Sequence, residues 1–180
     1  MINWDNVEFK DEKRYLSNMY PCSIVFEDKA LEKEFPEFFF DKQTYGSSEH
    51  LYQALKSKDP HWHERIRGLK LPTKTKTVAK KELSTQKTLF DGDLSFLMRE
   101  DWDDIKVKVM ELCLLLKFKQ NKELREKLIK EDGYIEERND WGDTFWGTVN
   151  GEGSNNLGRL LMRVRDRLKE EYKNEKENWR

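Results

Sequence analysis

Glu49, Gln53 and Lys56 are the first residues whose types and spacing could do chemistry. They lie four and three positions apart, so a helix would set a carboxylate, an amide and an amine on one face. A carboxylate beside an amine is equipped for electrostatic or acid–base work. Glu49 follows the break Gly46-Ser47-Ser48 and would sit in a first helical turn, where unpaired backbone N–H groups favour a negative charge. Either Ser47 or Ser48 is suited to cap that helix. The same spacing fits an ordinary amphipathic helix with a surface Glu–Lys pair, and spacing alone leaves both readings open.

Residues 136–147 carry a second concentration of functional types. Two Trp-Gly dipeptides, Trp141-Gly142 and Trp146-Gly147, stand five residues apart, with Glu137 and Asp143 beside them. Glycine permits close backbone approach and tryptophan offers a flat face on which a base or sugar can stack. A turn-rich segment whose tryptophans plug the core would read the same way. Gly151-Glu152-Gly153-Ser154-Asn155-Asn156-Leu157-Gly158 then opens the last helix. It lacks the dinucleotide GxGxxG spacing, and the chain has no Gly-Lys-Ser/Thr phosphate loop. What remains is a loop whose N–H groups can meet a phosphate, or simply an Asn-capped helix start.

From Arg65 to Lys81 there are seven cationic residues and no acidic one. Such a strip can hold phosphates or serve as a solvated face. His61 and His63 are two apart and do not face together on a helix, so no metal site is expected. No Gly-x-Ser-x-Gly elbow supports a serine nucleophile. Cys22 and Cys113 each lie in an apolar stretch and read as buried free thiols, consistent with a reducing cytoplasm. The N-terminal stretch, Met1 to Asp11, lacks a signal-peptide pattern, and Leu112 to Leu116 is too short to span a membrane.

These residues need a scaffold. Residues 22–26 read as a short strand and 35–45, with Phe38-Phe39-Phe40 and Thr44-Tyr45, as a second extended segment. The acidic stretch between them suggests a hairpin with an enlarged loop. Trp62, Ile66 and Leu69 mark a helix face. Ile105, Val109, Leu112 and Leu116, joined by Val107, Met110, Leu114 and Phe118, mark a helix apolar on two faces, expected at the centre of the fold. Leu124 and Leu128 mark a shorter helix, and Leu157, Leu160, Leu161, Val164 and Leu168 a final one. Residues 169–180 lose the period and read as a charged, frayed end. The expectation is a mainly α (α+β) class: one domain over residues 1–168 with a small antiparallel hairpin.

Composition agrees with a folded, soluble chain. In 180 residues, 34 Lys+Arg face 35 Asp+Glu, a net charge of −1, which removes the strongest reason to expect a general polyanion binder. Mean hydropathy is −0.97, yet 12% of residues are aromatic, which a disordered chain of such polarity would not carry.

Taken in order, six segments resemble the NADAR (YbiA-like) family. They are Leu16-Ser17-Asn18-Met19-Tyr20-Pro21; Tyr45-Gly46-Ser47-Ser48-Glu49-His50 through Lys56; Trp102 to Met110; Lys117-Phe118-x-Gln120-Asn121; Asn139-x-Trp141-Gly142-Asp143-x-x-Trp146-Gly147; and Gly153-x-Asn155-x-Leu157-Gly158-x-x-Leu161-Met162-x-Val164-Arg165. The resemblance covers roughly residues 15–168. It implies a compact, mostly helical fold with a small hairpin, and N-glycosidase chemistry without metal or redox cofactor. The substrates it implies are phosphoribosylamino-pyrimidine intermediates of riboflavin biosynthesis or ADP-ribose on guanine, including ADP-ribosylated nucleic acid. A non-catalytic ADP-ribose or nucleotide-binding module would use the same pocket.

The resemblance also implies roles. Glu49 would stabilise positive charge at ribose C1′ or orient water. Lys56 would bind phosphate, protonate the leaving nitrogen, or attack a ring-opened C1′ as an amine. Asp143 would act as a second acid/base or hold ribose hydroxyls. Trp102, Trp141 and Trp146 would form stacking walls, and Asn18 and Asn155 would bond ribose or phosphate. Ser48, Gln53, Glu137, Gly147 and Gly158 complete the expected substrate contacts. Two departures stand out: Gly46 replaces the family's usual proline, and the Phe-rich stretch from Glu27 to Phe40 reads as an insertion that would form a lid or specificity wall.

Overall fold

Strand β1 (Ile24–Val25) pairs antiparallel with β2 (Thr44–Tyr45), Ile24 opposite Tyr45 and Val25 opposite Thr44. This is the expected hairpin, and its enlarged loop contains a helix, α1 (Lys29–Glu34), capped by Asp28, whose side chain accepts from the N–H groups of Ala30 and Leu31. The hairpin delivers the chain to α2 (Ser48–Ala54). Next come α3 (Pro60–Arg67) and α4 (Pro72–Glu82), each with proline in its first turn, where a missing N–H costs nothing. The basic run thus lies along the end of α3 and on α4, and its Arg65 forks onto Glu82 at 2.8 and 3.0 Å.

Four two-residue strands escaped the sequence reading because they are too short to show a period. They are β3 (Leu83–Ser84), β4 (Leu89–Phe90), β5 (Asp93–Leu94) and β6 (Phe96–Leu97). β3 pairs with β6 in parallel and β4 with β5 antiparallel. Helix α5 (Trp102–Gln120) follows, buried continuously from Leu112 to Phe118, as its two apolar faces require. After a 3-10 helix at Asp11–Leu16, the remaining elements are α6 (Lys122–Lys130) and α7 (Asn156–Glu177).

The computed structural model describes residues 11–86, 89–90 and 93–177. The Met1–Lys10 part of the leader reading, and residues 178–180 of the charged end, lie outside the described residues. Helix α7 continues to Glu177, past the loss of apolar period at 169. Contacts resolve the chain into two compact units, Asn18–Gln120 and Met1–Ser17 with Asn121–Arg180. In the first, α2 packs on α3, α4 and α5, and β1 packs on α5. In the second, α6 packs on α7. Among the described residues no helix is long and apolar enough to cross a membrane.

Candidate functional site

Ser47 is the cap of α2: its Oγ accepts from the His50 N–H at 3.2 Å. His50 reinforces that start, with Nδ1 2.8 Å from Ser47 Oγ and Nε2 2.9 Å from the Leu69 carbonyl. Trp62 Nε1 donates to the Gln53 carbonyl near the helix end. Anchored at both ends, α2 is buried along its whole length. The surface Glu–Lys reading therefore fails: Glu49 is only 2% exposed.

Glu49 is held from two sides. Its N–H donates to the Asn18 carbonyl at 3.1 Å, and its Oε1 accepts from Gln53 Nε2 at 2.7 Å. Asn18 spends its Nδ2 on the Met110 sulfur, 3.1 Å away. Three buried polar atoms on Asn18 and on α2 have no hydrogen-bond partner: Asn18 Oδ1, Ser48 Oγ and Gln53 Oε1. Orphaned buried acceptors and hydroxyls are costly and are rarely left in a structural core. They set this end of α2 apart from an ordinary apolar core.

Lys56 does not continue α2. The helix ends at the Leu55 cap, and Lys56 stands in the following turn. Its Nζ lies 5.5 Å from the centre of the Tyr52 ring and 5.4 Å from that of Trp102, and the two rings meet edge-on at 5.0 Å. Burial pushes the Lys56 amine below its ordinary range; Glu49 opposes this, while Lys76 and Lys106 lower it further. Tyr52 was missed in the sequence reading. Its signal was present: it precedes Lys56 by four residues, an aromatic beside a cation.

The other unit ties Asp143, Trp146, Gly147 and Asn155 into one hydrogen-bonded loop, with Gly158 packed beside it. Asp143 Oδ1 accepts from the N–H groups of Phe145 and Trp146 at 3.1 and 2.8 Å, so this oxygen shapes the turn. Asn155 receives the Glu137 N–H on Oδ1 and donates from Nδ2 to the Ile135 carbonyl and the Tyr134 hydroxyl. Its amide is thus engaged in anchoring the loop. Gly147 lies against the Glu137 carbonyl, where a Cβ would come within 2.1 Å. Gly158 lies as close to the Ile135 carbonyl, at 2.2 Å. Close backbone approach was expected of Gly147, and the structure gives it to a neighbouring peptide. Trp146 packs edge-on against Phe145, whereas Trp141 is 66% exposed on a cavity of about 530 Å³ beside Asn139, Thr148 and Asn150.

Cys113 is fully buried and Cys22 half-buried, both as free thiols. Burial raises both thiols. Among the described residues no group of three or more His, Cys, Asp or Glu side chains is arranged to hold a metal ion.

A family model described as the NADAR domain matches residues 4–169. The chain is 32% identical over 157 residues to a riboflavin biosynthesis protein of Vibrio vulnificus (strain YJ016), which covers 87% of this chain and 36% of the relative. It is 32% identical over 152 residues to N-glycosidase YbiA of Escherichia coli (strain K12), covering 84% of this chain and 87% of the relative. The chain thus spans about a third of the Vibrio protein and most of the E. coli one. The NMR structure of E. coli YbiA superposes with a TM-score of 0.70 at 27% identity, covering 96% of this chain and 89% of that one.

Proposed function

Since this chain belongs to the NADAR domain family, we propose that it is an N-glycosidase that hydrolyses the bond between ribose C1′ and an amine or base nitrogen. The observation that carries the reading is the Glu49 cluster: a buried carboxylate bonded by Gln53, unpartnered polar atoms on Asn18, Ser48 and Gln53, and the Lys56 amine over two aromatic rings. As the C1′–N bond breaks, its electron pair leaves with nitrogen, which takes a proton. Positive charge builds on C1′ and O4′, and water adds to C1′ while giving up a proton. Glu49 stabilises that charge or orients the water, in a site from which bulk water is largely excluded. Gln53 holds one carboxylate oxygen in place. Asn18 Oδ1 and Ser48 Oγ are free to bond ribose hydroxyls.

Lys56 is suited to two tasks. Protonated, it grips a phosphate or gives a proton to the leaving nitrogen. Neutral, it attacks C1′ of the ring-opened substrate, an imine to the leaving nitrogen, expels that nitrogen as a free amine and forms its own imine, which water hydrolyses; its lowered pKa favours this form. Trp102 and Tyr52 wall that side. In the other unit, the exposed face of Trp141 is suited to stack a planar group, and Asp143 Oδ2 to hold a hydroxyl. The name of the Vibrio relative, a riboflavin biosynthesis protein, favours a phosphoribosylamino-pyrimidine over ADP-ribosylated guanine as substrate.

The test is direct. The protein is incubated with a phosphoribosylamino-pyrimidine and, separately, with ADP-ribosylated guanine DNA, and release of ribose 5-phosphate or ADP-ribose is followed. Glu49→Gln is expected to lower kcat by about a thousandfold. Borohydride added during turnover should fix sugar mass on the wild type and not on Lys56→Met if the imine route operates. Wild-type turnover no faster than that of Glu49→Gln on both substrates overturns the proposal. Tight binding of intact ligand without product would favour the binding module instead.

A further inference from the structure

The spacing of His61 and His63 gave neither a role, yet the fold gives His63 one. Its side chain is only 12% exposed, and that of Asp41, at the end of the hairpin loop, 15%. His63 Nε2 lies 2.9 Å from the Ser57 carbonyl. A carbonyl only accepts, so Nε2 carries a proton and donates it there. Nδ1 faces Asp41 Oδ2 at 3.3 Å and the Tyr45 hydroxyl at 3.1 Å. Asp41 is itself fixed, since it accepts from the Tyr45 hydroxyl at 2.6 Å, the Gln43 N–H at 3.0 Å and Arg67 Nη1 at 3.3 Å. One nitrogen of the ring thus rests on an immobile carboxylate and hydroxyl, and the other is aimed at a single backbone oxygen.

That oxygen belongs to the turn that carries Lys56. Past the Leu55 cap the helix no longer sets the direction of the chain. Bonds from distant elements hold it: the Lys56 carbonyl accepts from the Arg99 N–H at 2.8 Å, and Ser57 Oγ donates to the Leu97 carbonyl at 2.6 Å. The His63 bond links the same turn, through Asp41, to the hairpin loop. The Lys56 amine lies over the rings of Tyr52 and Trp102, in the field of Glu49 from α2, Lys76 from α4 and Lys106 from α5. A shift of the turn by about an ångström moves the amine relative to all of them, and such a misplacement costs on the order of a hundredfold in rate where reacting groups must meet.

We propose that His63, oriented by Asp41, is a positioning residue: it holds the Ser57 carbonyl so that Lys56 keeps its amine in the notch between Tyr52 and Trp102. The hairpin loop, whose Phe-rich stretch ends immediately before Asp41, thereby acts on the site through that carboxylate. The effect on turnover rests on the reading of Lys56 as a reacting amine. The effect on the amine itself does not.

The test follows the amine first. Trace acetic anhydride labels lysines only in their neutral form, and mass spectrometry of the Lys56 peptide across a pH series gives the pH of half-maximal labelling. His63→Leu removes both ring nitrogens and should raise that pH, because an amine released from the notch regains water. It should also lower kcat by about tenfold with KM little changed. His63→Gln keeps an N–H donor for the Ser57 carbonyl and should restore both. Leu128→Ala, a core truncation on α6 in the other unit, should lower the Tm and leave the labelling of Lys56 as it is in the wild type. Should His63→Leu fail to fold, Asp41→Asn carries the test, with a smaller rise expected. A half-labelling pH unmoved in His63→Leu, or in Asp41→Asn where that variant stands in, overturns the proposal. So does failure of His63→Gln to restore it, or an equal rise in Leu128→Ala. Labelling needs no substrate, so a chain without turnover overturns the glycosidase reading alone.

Discussion

Glu49 owes its character to its neighbours, because a carboxylate on an exposed helix face would be unremarkable chemically. The Asn18 carbonyl fixes its backbone, Gln53 fixes one oxygen, and burial removes the water that would screen its charge. The glycines of the other unit show the same dependence on surroundings. A methyl added at Gly158 would stand 2.2 Å from the Ile135 carbonyl and 2.6 Å from the side-chain amide of Asn155. Gly158→Ala is expected to destabilise the fold by about 2–3 kcal/mol, measured by urea unfolding. Gly142 has open space around it but a φ of +87°, so Gly142→Ala should cost only about 1 kcal/mol, through backbone strain. Equal effects at the two positions would show that Gly158 is not tightly packed.

At the scale of elements, the hairpin loop divides into core and rim. Leu31, Phe35, Phe38 and Phe40 are buried, and Phe40 stacks on Phe26 with centroids 4.4 Å apart. Much of the stretch read as a lid is therefore a structural wall: three of its four phenylalanines, Phe35, Phe38 and Phe40, are core, and Phe39 is rim. Phe40→Ala should cost about 3–5 kcal/mol of stability, whereas Phe39→Ala should change it by less than about 0.5 kcal/mol. Thermal unfolding of both variants checks this, and comparable losses would place Phe39 in the core. Helix α2 was legible from its Gly-Ser-Ser start and apolar residues. Its complete burial was not, because partners on α3, α4 and α5 enclose it and none is local in sequence.

For the molecule as a whole, Lys117 ties stability to alkaline pH. Its side chain is fully buried in α5, over the rings of Tyr20 and Phe118. Burial pushes its pKa down from 10.5 to about 8, with Cys22 opposing the shift. Below about pH 8 the folded chain bears the whole cost of a buried charge. Between that value and 10.5 the unfolded chain still binds the proton that the folded chain has released, so this contribution to stability rises with pH. The stability of the wild type relative to Lys117→Met should therefore climb by about 2 kcal/mol from pH ~7 to ~10 in denaturant titrations. A difference that stays flat would show that Lys117 keeps an ordinary pKa.

What the sequence by itself determined was local: the hairpin, the Ser47 cap, the buried character of α5, and the ordered motifs that mark the family. Each follows from spacing within a few residues, where backbone geometry sets which side chains share a face. Tertiary structure decided the rest. It closed α2 against three helices so that Glu49 is buried, brought Trp102 from 46 positions beyond Lys56 to its amine, and committed Asn155 and one oxygen of Asp143 to the loop. Burial, orphaned polar atoms and shifted acidity arise from contacts between residues far apart in the chain, and no local period encodes them.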